Sequence, residues 1–138
     1  MTVSEMLSGA EAAFVDAARV ARLATSMPDG SPHVVPVCPA LDLDRILIAS
    51  AFDRKVANIR ETPAVCIAFD EYTEDWSSLP QVIVFGEAYL VESGPEFERD
   101  ATLLNEKFPL YPASDFPIVE DTTVIIEVRA TRVSSSGL

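Results

Sequence analysis

Short apolar runs alternate with polar turn residues along most of the chain. Valine, isoleucine and phenylalanine are frequent in these runs, and glycine, proline, aspartate or serine separates one run from the next. This combination predicts β-strands connected by tight turns. We predict strands at residues 20–25, 31–37, 46–50, 64–69, 81–91 and 122–133.

The first two predicted strands form a hairpin around Pro28-Asp29-Gly30. Proline presets φ in such a turn, and glycine is free to take a positive φ. The second strand contains Pro32 and Pro36, which donate no backbone hydrogen bond. We therefore expect gaps in its hydrogen-bond ladder, where exposed backbone can meet a ligand. The same strand carries His33, the only histidine in the chain.

Helix signals occur in three segments. Ser8 and Glu11 have the spacing of a capping box before an alanine-rich stretch, so residues 1–18 are assigned to an N-terminal helix. A second helix follows Asp53, a candidate N-cap, and a later proline ends it. A third helix is predicted over residues 93–107, where a second Ser-x-x-Glu sequence and an early proline mark its start.

The remaining segments are predicted as turns and loops. Residues 42–45 form a turn, and residues 108–121, with three prolines, form an ordered loop. Gly86 predicts a bulge in its strand. Residues 134–138 are predicted to be a flexible tail. No internal repeat divides the sequence, so we assign residues 1–138 to a single domain.

The charge balance argues against several classes of partner. The 138 residues include 10 basic and 22 acidic side chains, for a net charge of −12. Long-range repulsion therefore opposes binding to nucleic acids or anionic membranes. No apolar run approaches the ~20 residues of a membrane span, and the N-terminus lacks the features of an export signal. We expect a cytoplasmic protein with Cys38 and Cys66 as buried free thiols.

Strands in hairpin connection, with helices at the ends and in one crossover, predict a small closed β-barrel. A barrel of this size fills its interior with its own side chains, so a ligand must bind outside it in a groove. Because a small subunit offers little surface for such a groove, an interface between two copies is the expected place.

Four sequence blocks resemble the FMN-binding split β-barrel superfamily, which contains the pyridoxamine 5′-phosphate oxidases and the deazaflavin-dependent oxidoreductases. The blocks are ARVARLAT…DGSPHVVPV, ILIAS, DRKVANIRETPAV and DEYTEDWSSL. Among the members, the short oxidoreductases that use coenzyme F420, a deazaflavin, are the most similar. The resemblance implies a mainly β protein, a split β-barrel of about six mostly antiparallel strands. It also implies a homodimer with its cofactor groove at the interface.

The resemblance further implies which residues contact the cofactor. The ring lies against the second strand, the third strand lies beside the ribityl chain or phosphate, and basic residues at the next helix hold the phosphate. An aromatic residue from the partner subunit closes the groove. In this sequence the implied residues are Val34, Val35, Pro36, Val37, Ala49, Ser50, Arg54, Lys55 and Trp76.

Arg54 and Lys55 also form a plausible anion site on physical grounds alone. They are the only adjacent basic residues, and they lie at a predicted helix N-terminus, where free N–H groups and the helix dipole favour an anion. The alternative is a surface pair that offsets Asp53 and Glu61.

The other candidate residues have a structural and a functional interpretation each. Trp76, the sole tryptophan, either covers the core or contacts cofactor or partner. His33 is either a general acid or a hydrogen-bonded structural histidine. Arg22 interrupts a strand and is expected to pair with an acidic residue.

These observations predict a homodimeric oxidoreductase that transfers two electrons, as a hydride, between a flavin-type cofactor and a small organic substrate. The cofactor is coenzyme F420 or FMN, and the preference for F420 rests on the resemblance. The alternatives are a non-catalytic carrier or sensor that binds flavin or haem, and a cofactor-free structural dimer. No spacing indicates a metal site, and no residue is assigned a catalytic role.

Overall fold

A computed structural model describes residues 6–43 and 45–138 of the chain. Within these ranges one antiparallel sheet is accompanied by four α-helices and a single 3-10 turn. The strands are β1 Ala21–Ser26, β2 Pro32–Val37, β3 Pro39–Asp42, β4 Arg45–Ser50, β5 Ala64–Asp70, β6 Gln81–Val91 and β7 Val124–Ser136. The α-helices are α1 Gly9–Ala17, α2 Arg54–Glu61, α3 Gly94–Lys107 and α4 Leu110–Ala113, and the 3-10 turn is Trp76–Ser78.

The sheet has the strand order β2-β1-β5-β6-β7-β4-β3, so β2 and β3 form its two edges. These edge strands are nevertheless consecutive in the chain and are separated by Cys38 alone. A one-residue link can join the two edges only if the sheet curls round on itself. The mainly β split barrel predicted from the sequence is therefore confirmed.

The barrel interior holds the main hydrophobic core. Inward-facing side chains of the strands pack there with Val15 of α1 and with Val56 and Ile59 of α2. Both helices therefore shield the barrel interior from water. The apolar residues on one face of each helix determine which face packs inward. The capping box at α1 is confirmed: the Ser8 N–H donates to Glu11 Oε1 (2.7 Å) and the Glu11 N–H donates to Ser8 Oγ (3.2 Å). Residues 1–5 of the predicted helix lie outside the described residues.

A second apolar layer lies on the outside of the barrel, where α3 packs. Phe97, Ala101 and Leu104 of α3 contact a cluster that includes Leu47 of β4 and Ile125 of β7. Residues 93–107 were predicted as this helix, and its C-terminus at Lys107 is confirmed. The predicted capping box at its start is wrong, because the Ser93 side chain makes no cap hydrogen bond.

The charged residues beneath α3 form a buried cluster around Arg45. Its guanidinium pairs with Glu127 of β7 (2.6 Å), Asp100 of α3 (3.1 Å) and Asp42 of β3. Arg45 is 5% exposed, Asp100 0% and Glu127 1%. Because burial of an unpaired charge is costly, the cation and its carboxylates must be brought together when α3 docks.

Several sequence-based boundaries need correction. The strand β3 was missed because it is short, starts with a proline and has no alternating pattern. The loop predicted over residues 108–121 contains α4. The last strand was ended too early, since Ser134–Ser136 pair with residues 81–83 of β6, so these three residues of the predicted tail belong to the sheet.

Two predicted side-chain states are also corrected. Cys38 is exposed and Cys66 is half-buried, so the prediction of two buried thiols is wrong for Cys38. Asp53 precedes α2 as expected, but its carboxylate forms no cap hydrogen bond because it pairs with Lys55 instead. No helix among the described residues is long and apolar enough to span a membrane.

The predicted bulge at Gly86 is confirmed by a register shift between Phe85 and Gly86. A Cβ atom added to Gly86 would lie 2.4 Å from the Arg129 carbonyl oxygen. We expect Gly86→Ala to lower the free energy of unfolding by about 1–3 kcal/mol, the usual range for overpacking. Urea denaturation followed by circular dichroism would measure the loss.

The matched control is Gly9→Ala, because nothing lies within 4 Å of the added Cβ there. This variant should keep the stability of the parent protein. Equal stabilities of the two variants would contradict the close approach at Gly86.

The Arg45 cluster predicts a specific pH dependence of stability. Burial, together with the facing carboxyl groups of Asp100 and Glu96, raises the pKa of Glu127 to about 8, and Arg45 only partly opposes this. The folded protein therefore holds a proton on Glu127 that the unfolded chain releases near its ordinary pKa of 4.5. This contribution to the free energy of unfolding is full below about pH 4.5 and is lost as the pH rises through about 8.

The substitution Glu127→Gln should remove this decline, because an amide does not titrate. Urea denaturation at pH 5, 6.5 and 8 would show a shallower pH dependence than in the parent protein. Glu87→Gln, at an exposed position of β6, controls for the lost charge. If the Glu127 and Glu87 variants show the same slope, then Glu127 does not carry the effect.

Candidate functional site

The second strand presents two kinds of side chain. Val35 and Val37 face inward and pack in or against the barrel core, whereas Val34, 60% exposed, and Pro36 face outward. Of the four β2 residues predicted to meet the cofactor ring, only Val34 and Pro36 thus have side chains available outside. Since β2 is an edge strand, its backbone on the side away from β1 has no strand partner in the sheet. That edge is where a planar ligand can reach the backbone.

The predicted residues of the strand before α2 line an open cleft of about 270 Å³. Ala49 and Ser50 form one wall of it, and Tyr111, Phe116 and Thr123 line the other side. The Ser50 hydroxyl donates to the Ala51 carbonyl oxygen (2.6 Å), so it is already used in a local turn. Sequence reasoning found one wall of this cleft and missed the other.

The basic pair lies at the start of α2, as predicted. Lys55 Nζ contacts Asp53 Oδ2 at 2.6 Å, and the Lys55 side chain is 13% exposed. Arg54 is exposed and has no carboxylate within 4 Å among the described residues. In the protein without a ligand, Lys55 is thus paired with Asp53, as in the surface-pair interpretation. An anion bound here would meet the α2 N–H groups and Arg54, and would compete with Asp53 for Lys55.

The loop between β5 and β6 holds Trp76 in an exposed position. The Asp75 carboxylate accepts from the Ser77 N–H (3.1 Å) and from the Ser77 hydroxyl (2.6 Å), which fixes the 3-10 turn. Trp76 is 72% exposed, and its Nε1 donates to the Tyr72 hydroxyl (3.3 Å). The interpretation of Trp76 as a cover over its own core is therefore wrong.

The fold separates Lys55 from Trp76 within one chain. The helix α2 leads directly into the start of β5, whereas the Trp76 loop leaves from its end at Asp70. A strand of this length spans roughly 20 Å. Lys55 and Trp76 thus lie on segments that connect to opposite ends of β5.

The two remaining candidates have structural partners. Arg22 pairs with Asp70 at 3.2 Å, which confirms the expected acidic partner. His33 lies opposite Thr25 in the β1–β2 ladder, and its buried Nδ1 has no hydrogen-bond partner. The general-acid and structural interpretations of His33 thus both stay open.

Sequence reasoning missed Asn58, which lies on the buried side of α2. Asn58 is 2% exposed, and its Nδ2 donates to Thr25 Oγ1 (3.0 Å). This contact ties α2 to β1 and so fixes the position of Lys55, one turn earlier on the helix. The available signal was a polar residue next to the apolar positions Val56 and Ile59.

The sequence profile of the pyridoxamine 5′-phosphate oxidase family matches residues 7–137, nearly the whole chain. The chain belongs to this family. No curated protein matches the sequence at a significant level.

Solved structures with the same fold include proteins that are named for different ligands. An FAD-binding protein of Mesorhizobium loti is 24% identical, with 94% of this chain and 93% of that chain covered and a TM-score of 0.71. An F420 reductase is 23% identical, with coverages of 93% and 98% and a TM-score of 0.69. A haem-binding protein of Mycobacterium smegmatis is 21% identical, with coverages of 95% and 55% and a TM-score of 0.76.

These likenesses share the split barrel and differ in the bound group. Flavin, deazaflavin and haem are all represented among the neighbours of this chain. These likenesses show the fold, and the ligand named for each protein differs from one neighbour to the next.

Proposed function

We propose that this protein is a homodimeric oxidoreductase that binds coenzyme F420 or FMN and transfers a hydride to or from a small organic substrate. Family membership carries the proposal, together with the cleft beside Ala49 and Ser50 and the cations at the start of α2. Such a cofactor supplies the hydride chemistry, and the protein supplies binding, orientation and exclusion of water.

Each element of the site has a proposed role. Backbone and side chains of the outward-facing positions Val34 and Pro36 meet the ring, while Val35 and Val37 contribute backbone only. Ala49 leaves room beside the ribityl chain. Arg54 and Lys55, with the α2 N–H groups, hold the phosphate, and the partner's Trp76 covers the ring.

A row of outward side chains supports the dimer. Val34, Ala24, Cys66 and Phe85 stand side by side in register across β2, β1, β5 and β6. Within residues 6–43 and 45–138, no helix covers this outer face as α3 covers β4 and β7. The Arg132 guanidinium lies 4.0 Å from the Phe85 ring at its end. An apolar sheet face continuous with the proposed ring site fits burial against a second copy.

The haem-binding likeness makes a haem carrier the second candidate. Haem iron usually takes histidine, cysteine, methionine or tyrosine as axial ligand, and this chain has one histidine. His33 Nδ1 is buried, which leaves only the other ring nitrogen for iron. His33 would bind iron through that nitrogen, so cofactor affinities have to decide between the flavin-type group and haem.

Replacement of Lys55 tests the phosphate site. We expect Lys55→Ala to weaken binding of F420 or FMN by about 1–3 kcal/mol, the scale of a hydrogen bond to a charged group. Quenching of the fluorescence of Trp76, the sole tryptophan, would report the affinity of each cofactor.

Arg60→Ala is the matched control, because Arg60 lies at the other end of α2 and pairs with Glu92. An unchanged affinity in Lys55→Ala would rule out the phosphate site. If the parent protein binds neither cofactor below about 100 µM, roughly −5.5 kcal/mol, the oxidoreductase proposal fails. Binding of haem in their place would favour the carrier.

A mixing experiment tests the shared groove. Homodimers of Lys55→Ala and of Trp76→Ala should each bind cofactor weakly, the latter by loss of an aromatic contact worth about 1 kcal/mol. After the two are mixed and allowed to exchange subunits, each mixed dimer contains one groove with both residues intact. Equilibrium dialysis should then recover a fraction of sites with the affinity of the parent protein.

Recovery requires that Lys55 and Trp76 come from different chains. If the mixture shows only the weak affinities of its components although exchange is complete, Lys55 of one chain and Trp76 of the other do not share a groove. A monomer in sedimentation experiments would contradict the dimer directly.

A further inference from the structure

A second depression lies beside the Ala49–Ser50 cleft, between α4 and the short link that joins β2 to β3. We call it the aromatic groove, and it has a volume of about 330 Å³. Tyr111 and Phe116 line both this groove and the Ala49–Ser50 cleft, so the two are neighbours. The residues of the aromatic groove used below are Arg19, Cys38, Phe108, Leu110, Tyr111 and Phe116.

The walls of the aromatic groove are mostly apolar. Leu110 is 78% exposed and Phe116 80%, which is unusual for large apolar side chains that lie close together. The rings of Phe108 and Tyr111 meet edge to face, with centroids 6.1 Å apart. Burial raises the pKa of Tyr111 to about 12, so its hydroxyl stays neutral at physiological pH. A hydrocarbon ligand would remove this surface from water.

Positive charge lies at the rim of the groove. The Arg19 guanidinium is 4.7 Å from the centroid of the Phe108 ring, and Lys107 Nζ is 5.4 Å from the same centroid. Lys107 donates to the Pro39 carbonyl oxygen (2.7 Å), whereas Arg19 has no carboxylate within 4 Å among the described residues. Arg54, Arg129 and Arg132 also lack a carboxylate partner among the described residues, but Arg19 is the one of these four that lines the aromatic groove.

We propose that the aromatic groove binds a small apolar monocarboxylate. The hydrocarbon body lies against Phe108, Leu110 and Phe116, and the carboxylate pairs with Arg19, whose planar fork matches its two oxygens. Asp16 and Glu106 line the neighbouring surface on the other side of Arg19, so a dianion such as a phosphate ester would be repelled. The volume suits a small ligand, since such sites range from roughly 300 to 1,000 Å³.

The position of the groove suggests what the ligand is for. Because the groove adjoins the Ala49–Ser50 cleft, a ligand in it would lie beside a cofactor bound there. The ligand would then be the substrate, and this role rests on the proposed function. Binding of the carboxylate itself does not depend on the cofactor.

Cys38 offers a direct readout, because its exposed thiol lines the groove. The full-length protein without cofactor would be treated with iodoacetamide in the presence of 2-naphthoate or its uncharged analogue 2-naphthamide. Peptide mass spectrometry would follow alkylation of Cys38, with the half-buried Cys66 as internal reference. We expect 2-naphthoate to protect Cys38 but not Cys66, at concentrations at least tenfold lower than 2-naphthamide requires.

Arg19→Gln should abolish the preference for the acid over the amide. Arg60→Gln should keep it, because Arg60 lies near the end of α2 and pairs with Glu92, and it does not line the groove. Equal protection by acid and amide in the parent protein, or an intact preference in Arg19→Gln, would overturn the proposal. A Cys38 thiol that stays unreactive without ligand, and becomes reactive only on dilution, would also overturn it by showing that a second copy covers the groove.

The outcome can be separated from that of the proposed function. If Lys55→Ala leaves cofactor binding unchanged while Arg19→Gln loses the acid preference, the groove is a carboxylate site and the phosphate site is wrong. If cofactor binds as expected and naphthoate does not protect Cys38, only the carboxylate site is wrong.

Discussion

The buried ion cluster around Arg45 joins the two layers of this structure. Arg45 on β4 contacts Glu127 of β7 and Asp100 of α3, so one guanidinium connects the barrel wall to the helix outside it. Loss of Arg45 would remove the cation that lies 3.1 Å from the fully buried Asp100 carboxylate, and breaking a buried pair in this way usually costs several kcal/mol. The segment that forms the far wall of both clefts follows α3 directly. The Ala49–Ser50 cleft and the aromatic groove thus depend on this cluster, although neither contains any of its residues.

A second constraint comes from the one-residue link between β2 and β3. Because the link joins opposite edges of the sheet, the barrel closes imperfectly there, and Cys38 of the link lies beside α4. The backbone of β2 therefore has no strand partner on the side away from β1. The prolines at positions 32 and 36 suit such an edge, since they lack the N–H group that a neighbouring strand would need.

The parts of the fold that local rules govern were predictable from the sequence. The strand 81–91, the C-terminus of α3 and the Gly86 bulge follow from alternation, caps and glycine chemistry. The Arg45 cluster was not predictable, because its partners lie 55 and 82 residues away and Arg45 itself looked like a turn residue beside Asp42. The aromatic groove was missed for the same reason: its walls are distant in sequence, and three prolines made one of them look like a loop.

Because this chain has few cations, their positions indicate where an anionic ligand would bind. The net charge is −12, and five of the ten basic side chains pair with a carboxylate of the described residues within 4 Å, among them Arg22 with Asp70 and Arg60 with Glu92. Arg54 and Arg19 lack such partners among the described residues; Arg54 stands at the start of α2, and Arg19 lines the aromatic groove. A cation left unpaired in an acidic protein raises the local potential where the rest of the surface would repel an anion. An anionic ligand would therefore meet this acidic protein most favourably at such a cation, which is the physical basis of the proposed phosphate and carboxylate sites.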